Sequence, residues 1–429
     1  MCVVSRVVAI SPRVNVDHVD HEHLHLSHGD IAATSMIVSW ATKRKVIHPF
    51  IMIGLEERNL FHLKKWNILA LNKRYKFGPN YVSRYYHHIE MLKLVEGTRY
   101  FYRVGGMYEL DTKVFWSDEH SFATPKALQT NFAILGDLGQ TEFSRMTLGS
   151  VLKHYKSDNV GGSIDSMLIA GDLSYADCSQ DEWDHWFRMI DDSTLGPSVP
   201  IMVAAGNHDV EGPEACGEEM TQSRFDAYQT RFFMPNRPQA ALIGNTFYSF
   251  EVGLAHVAVL CPYVEYEEGS AQYRWFEKDV AALDRELTPW VIVMAHEPFY
   301  NSNLAHKDGN QKMRKIYEPL FQKHNVDIMV AGHVHSYERT WPVYNAKRTK
   351  GGTVYFNVGD GGNREGLASV FSDPRPPWSA FRQANYGFGK LSLSHTEAVW
   401  TWYRDETNMF DRVKLMKKYE FGHRTLQLN

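Results

Sequence analysis

Five apolar runs in the second part of the chain are each of strand length, and each ends at a side chain able to hold a metal ion. Asn131–Leu135 runs into Gly136-Asp137, and Ser166–Ala170 into Gly171-Asp172. Pro200–Ala205 runs into Gly206-Asn207-His208-Asp209, Trp290–Ala295 into His296, and Val326–Ala331 into Gly332-His333-Val334-His335. Short apolar runs bounded by turn residues read as buried strands. Longer stretches between them are compatible with helix, which implies an α/β layered domain. Such folds gather their ligands beyond the carboxyl ends of the strands. Asp or Asn after Gly is also an ordinary turn former. That accounts for one such ending, whereas five in order form a constellation.

Residues 20–125 have a different texture. Apolar and polar residues alternate in His23-Leu24-His25-Leu26, in Ser35–Trp40, in Tyr85–Leu94 and in Thr98–Val104. Short alternating runs separated by turn residues predict an antiparallel β-sandwich. Ala123-Thr124-Pro125-Lys126 reads as a linker, because proline pushes its predecessor out of helix. An α/β domain is expected over residues 130–405, closed by the strand-like run Gly389–Tyr403. The basic, polar residues 406–429 are expected to be a solvated tail.

Composition excludes several classes. The chain has 429 residues and a formal net charge of −4, so no basic surface suits broad nucleic-acid binding. No apolar run approaches the ~20 residues of a membrane helix. The opening MCVVSRVVAI is a poor secretory signal, and no signal peptide is visible. Four cysteines, Cys2, Cys178, Cys216 and Cys261, include no Cys-x-x-Cys pair. A zinc ribbon is therefore excluded, and disulfide pairing stays open.

Asp137, Asp172, Tyr175, Asn207, His208, His296, His333 and His335 make a hard, mixed oxygen and nitrogen set. It suits Fe, Zn or Mn rather than Ca, which prefers oxygen alone. Seven ligands drawn from this set of eight are too many for one tetrahedral ion and fit two ions sharing a carboxylate. Such a pair clamps an in-line displacement at phosphorus.

These blocks resemble the metallophosphoesterase pattern, and more narrowly the purple acid phosphatase family. The matching blocks are Gly136-Asp137-Leu138-Gly139, Gly171-Asp172-Leu173-Ser174-Tyr175, Gly206-Asn207-His208-Asp209, Val293-Met294-Ala295-His296 and Ala331-Gly332-His333-Val334-His335. The tyrosine of the second block separates this family from other metallophosphoesterases. The resemblance spans about residues 23 to 403. It implies a fibronectin-type-III-like N-terminal domain, as in the long plant enzymes, before an α/β/β/α sandwich.

It further implies Fe(III) on Asp137, Tyr175 and His335, a divalent ion (Zn, Fe or Mn) on Asn207, His296 and His333, and Asp172 between them. With a phenolate among the donors, two divalent ions would leave little positive charge for a phosphate ester. A tyrosinate thus argues for a trivalent partner. The implied activity is acid hydrolysis of phosphate monoesters, with a hydroxide at the metals as nucleophile. His208 and His306 would face the substrate, and Asp177 is expected to orient His208.

The chain departs from the plant pattern at Ala305-His306, where that pattern has two adjacent histidines; Lys307 follows. Expected partners are small phosphate esters, without nucleic acid or membrane, and a homodimer stays open. The resemblance points to a secreted, vacuolar or lysosomal protein. A phosphodiesterase, nucleotide hydrolase or phytase on the same scaffold is the rival reading, and a catalytically weak phosphate- or partner-binding protein is the rival from another class.

Other features carry blander expectations. His18, His21, His23, His25 and His28 are read as strand alternation rather than a metal tract. Trp183 and Trp186 are read as core, and Gly359–Asn363 as a structural turn beside the site. Glu338 and Arg339 are expected to pair with each other.

Overall fold

The computed structural model describes residues 21–29, 33–109, 114–157, 164–212, 216–217, 223–235, 244–404 and 408–417, and the backbone of 418–420 and 423–428. Cys2 and His18 lie outside the described residues.

The first domain is a two-sheet antiparallel sandwich. One sheet has the order His21–His28, Ser35–Thr42, Tyr85–Leu92, Trp66–Lys73. The other has the order Val114–Trp116, Arg99–Tyr108, Val46–Glu56, Asn59–His62, with His120–Ala123 also pairing to Arg99–Tyr108. Leu24, Leu26, Val38, Trp40, Ile89, Tyr102 and Val104 fill the space between them.

Two seven-stranded sheets face each other in the second domain. The first runs Ile201–Val203, Ser166–Ile169, Thr130–Leu135, Phe388–Leu393, Glu397–Tyr403, Met409–Glu420, His423–Leu428. The second runs Tyr248–Val252, Ala255–Val259, Trp290–Met294, Ile328–Ala331, Val354–Val358, Tyr337–Thr340, Ser379–Gln383. Strand side chains alternate between faces, and the second sheet uses both. Ile292, Ile328, Val330 and Phe356 join the core between the sheets. Val291, Val293, Met329 and Tyr355 meet Phe276, Tyr317 and Phe321 of the helices Ala271–Ala281 and Gln311–Lys323. Helices Glu142–Lys156 and Gln180–Ser193 cover the first sheet through Leu148, Val151, Trp183 and Trp186. Trp183 and Trp186 are therefore core, as expected. Among the described residues no helix is long and apolar enough to cross a membrane.

The expected tail is corrected. Met409–Glu420 and His423–Leu428 are strands that extend the first sheet. Asp411, Val413 and Leu415 are buried, while Arg412 is exposed, so Met409–Glu420 is an amphipathic strand, paired on both sides, whose outward charges resemble a tail. The expected Glu338–Arg339 pair is corrected too. Arg339 donates to both Asp411 carboxylate oxygens, at 2.7 and 2.9 Å. Glu338 instead accepts from Ser302 and Ser379. Adjacent strand residues point to opposite faces, which separates the two side chains.

The N-terminal histidines seal the domain interface. Leu24 and Leu26 point into the sandwich, while His23 stacks on Phe187 and His25 sits against Phe187 and Phe232. His28 stacks on Phe250. His88 bridges Ser39 and the Thr230 carbonyl. Burial pushes His25 down to about 4 and both His28 and His87 down to about 3. These folded-state values lie below the ordinary ~6.5, so on acidification the unfolded chain takes up protons first. Their contribution to stability is intact above about pH 6.5 and falls by about 1.4 kcal/mol per pH unit per histidine down to about pH 3–4. The melting temperature is expected to fall from pH 7 to pH 4, and more gently in His28→Leu. Equal slopes for the two proteins would contradict this assignment.

Candidate metal centre

All five motif loops leave the carboxyl ends of parallel strands and meet at one edge of the paired sheets. Asp137, Asp172 and Asn207 follow strands of the first sheet, and His296, His333 and His335 follow strands of the second. The meeting is tight enough to require glycine. A Cβ at Gly206 would collide with the Asp172 carboxylate, and one at Gly332 with that of Asp137.

The backbone here is strained at several ligand positions, most of them Asp or His, which enter the left-handed region more readily than other side chains. Asp137, Asp172, Tyr175, Asp177, His306 and His333 all have positive φ, between 45° and 69°. Each such non-glycine residue costs about 1–3 kcal/mol and persists where the surroundings over-determine it.

The donors form two adjoining groups. In one, the Tyr175 hydroxyl lies 3.2 Å from Asp137 Oδ1 and 3.0 Å from His335 Nε2, and His335 Nε2 lies 3.3 Å from Asp137 Oδ1. In the other, His296 Nε2 lies 2.9 Å from Asp172 Oδ2, 3.1 Å from Asn207 Oδ1 and 3.2 Å from His333 Nδ1. The His333 backbone N–H donates to Asp137 Oδ2 and links the groups. The ligand atoms of Asp172, His296 and His333 all lie within 4.8 Å of one another.

The second contacts of the histidines fix their tautomers. His296 Nδ1–H donates to the Ala170 carbonyl at 2.8 Å, and His335 Nδ1–H to the Gly366 carbonyl at 3.1 Å. Each Nε2 therefore turns a lone pair toward carboxylate, amide and phenol oxygens. Lone pairs converging on one point repel unless a cation sits among them, so the donor set fits metal ions. A proton takes the cation's part otherwise. Burial opposes charge on His296, but the Asp172 and Asp137 carboxylates outweigh it and push its pKa up to about 10. Burial and the neighbouring His296 charge hold His333 down at about 2. Burial, then the charges of Asp137, Asp172 and Glu365, push the Tyr175 phenol far above its ordinary range.

The buried wall of the site is Tyr175, and its open face is ringed by Asn207, His306, Asp177, Arg364 and Glu365. The His306 and His333 rings lie against each other, tilted by 41°, with centroids 3.9 Å apart. The Asn301 side-chain amide donates to the Ala305 and His306 carbonyls and shapes that loop. The His208 ring lies over Tyr175 at 4.2 Å, tilted by 30°, and its Nδ1 meets Asp177 Oδ1 at 2.5 Å. Burial lowers the His208 pKa, but the Asp177 hydrogen bond and the charges of Asp172, Asp177 and Glu365 win and bring it up to about 9. All seven expected ligands and all three expected catalytic residues are thus brought to one place. Lys307 is exposed on the same loop, and among the described residues nothing ties it to the site.

Three supports were not legible in the sequence. A disulfide joins Cys178, three residues after Tyr175, to Cys216 beyond the third block. Asp209 accepts from the Gly206 and Leu173 backbones and binds the third block to the second. Arg364 and Glu365 reach the site from the glycine-rich loop: Arg364 contacts Asp177, and Glu365 Oε1 lies 3.6 Å from His208 Nε2. Two charged residues just past Gly-Gly-Asn, beyond a further strand end, were the available signal. The loop itself behaves as a turn beside the site, with Gly361 N–H on the Gly136 carbonyl and Asn363 on the Asp137 carbonyl.

Paired sheets with acid, amide and histidine donors at one edge define a metallophosphoesterase, and residues 130–337 match the family model for calcineurin-like phosphoesterase. Residues 21–124 match the purple acid phosphatase N-terminal domain, and residues 352–412 the iron/zinc purple acid phosphatase-like protein C. The chain is 39% identical to purple acid phosphatase 21 of Arabidopsis thaliana over 331 residues, 77% of this chain and 70% of that protein. It is 33% identical to the phosphoenolpyruvate phosphatase of Allium cepa over 417 residues, 93% of this chain and 82% of that protein. A solved purple acid phosphatase from yellow lupin (Lupinus luteus) seeds superposes with a TM-score of 0.78 at 25% identity, covering 94% of this chain and 75% of that one. The chain belongs to the purple acid phosphatase family. It is a phosphatase that hydrolyses phosphate monoesters at a dinuclear metal site.

Proposed function

We propose that the two donor groups hold unlike metals: Fe(III) on Asp137, Tyr175 and His335, and a divalent ion, Zn, Fe or Mn, on Asn207, His296 and His333, with the Asp172 carboxylate between them. The observation that carries this reading is Tyr175. It is fully buried and surrounded by carboxylates that oppose its ionisation. Only a strongly charged cation offsets that opposition, which favours a trivalent ion on that side. Bound there, two cations activate water and neutralise phosphate oxygens.

The chain's own groups supply the rest. His306, exposed beside His333, binds phosphate oxygens at the open face. His208 presents Nε2 to the leaving-group oxygen and gives it a proton, while Asp177 holds Nδ1. With Ala305 in place of a second imidazole, phosphate binding rests on fewer contacts than in the plant pattern. The substrates are small phosphate monoesters. A secreted, vacuolar or lysosomal setting is favoured by the Cys178–Cys216 disulfide, which persists in oxidising compartments.

Metal analysis of two variants tests the division. His296→Ala is expected to lose the divalent ion and keep iron, and His335→Ala to lose iron first. Loss of the same ion, in both element and oxidation state, from the two variants would overturn it.

A further inference from the structure

We propose that Arg364 is a positioning residue of the phosphatase reaction: it holds the Asp177 carboxylate so that Asp177 fixes the ring of His208. The proposal rests on the reading of His208 as the group that meets the leaving oxygen.

The Asp177 carboxylate is shared by its two partners. Oδ1 meets His208 Nδ1, and Oδ2 accepts from Arg364 Nη2. A carboxylate held at one oxygen can swing about its Cβ–Cγ bond; one held at both cannot. Asp177 itself lies between Tyr175 and the Cys178–Cys216 disulfide, at φ +45°. Its backbone is therefore set, and the side-chain torsions are what Arg364 controls.

Arg364 is well placed to exert that control. Its neighbour Asn363 donates to the Asp137 carbonyl through both backbone N–H and side-chain amide, at 3.1 and 3.2 Å. Its other neighbour, Glu365, donates its backbone N–H to Asn363 Oδ1 at 2.9 Å. The guanidinium thus projects from a pinned turn beyond the second sheet and reaches a carboxylate beyond the first. The face of the His208 ring is set by Tyr175, and its edge by Asp177. Arg364 is the last link in that chain.

The pair is half open to water, with side-chain exposures of 46% for Arg364 and 39% for Asp177. Ion pairs this exposed contribute little to stability. Removing Arg364 should therefore leave the fold intact and act on geometry at His208. Glu365, whose carboxylate lies 3.6 Å from His208 Nε2, is then the nearest competing anion for a loosened ring.

The experiment compares Arg364→Ala, Arg364→Lys, Asp177→Ala, His208→Ala and the Arg364→Ala/Asp177→Ala double variant. Each is assayed on p-nitrophenyl phosphate, whose leaving group needs little protonation, and on glycerol phosphate, whose alkoxide needs a proton. For Arg364→Ala, kcat should fall about 10–100-fold on glycerol phosphate and less on p-nitrophenyl phosphate, with KM within about two-fold and the melting temperature unchanged. Arg364→Lys should restore part of the loss. In the Asp177→Ala background the same change should add nothing, because the two act as one unit. A rise in KM at constant kcat would overturn the proposal and make Arg364 a direct substrate contact. An equal loss with or without Asp177 would overturn it as well. If His208→Ala loses no more on glycerol phosphate than on p-nitrophenyl phosphate, the proton-donor reading of His208 fails. The Arg364–Asp177 coupling then still decides the positioning claim separately.

Discussion

Asp172→Ala is expected to lower kcat/KM by about 10³-fold or more and to strip metal from the protein. Three arrangements meet at this carboxylate. Oδ2 faces His296 Nε2 at 2.9 Å, Oδ1 accepts the His208 backbone N–H at 2.8 Å, and Gly206 packs directly against it. The substitution therefore removes a donor and releases the loop that carries both Asn207 and His208. Asp172→Asn separates these effects. It keeps an acceptor for the His208 N–H but removes the charge, so the loop should stay in place while metal affinity falls. Metal content and initial rates on p-nitrophenyl phosphate check both variants, and near wild-type activity in Asp172→Ala would contradict the two-metal site.

Asp411→Ala is expected to destabilise the fold by about 3–5 kcal/mol. Asp411 is buried, accepts from both Arg339 Nε and Nη2, and also takes the Tyr337 hydroxyl at 2.7 Å. Removing it leaves a guanidinium that is almost wholly buried with no counter-charge. Arg339 lies four residues after His335, so the closing strands support the ligand loop from behind. Replacing both partners by apolar residues, Arg339→Met with Asp411→Leu, should recover most of the loss, because a buried ion pair is dear to break and cheap to exchange. Denaturant unfolding measures the difference; a change of less than about 1 kcal/mol would contradict a supporting role for the pair.

The donors were legible because their chemistry is local. A strand, a tight turn and a ligand are contiguous in sequence, so Asp137, Asp172, Tyr175, Asn207, His296, His333 and His335 could be read block by block. Contacts made across the fold were not. Nothing in the sequence joins Arg339 to Asp411, or Arg364 to Asp177, because each pair is closed by sheet topology. The strand Met409–Glu420 did carry a signal, with Val413 and Leu415 inward and Arg412 outward. Its lysines and arginines resembled a tail because one face of the strand meets solvent, where Arg412 lies, while Lys417 is buried against Asp327. The positive φ angles at Asp137, Asp172 and His333 were invisible for another reason. Asp and His enter that region more readily than most residues, but far less often than glycine, and here the glycines stand alongside to admit the carboxylates.

The most direct test of the unlike-metal centre is the metal content and visible absorption of native protein, with Tyr175→Phe beside it. The account predicts about two ions per chain, at least one of them iron. It also predicts a broad visible band from the Tyr175 phenolate on Fe(III), absent in Tyr175→Phe. Iron-loaded protein without such a band, or a band that survives in Tyr175→Phe, would contradict it.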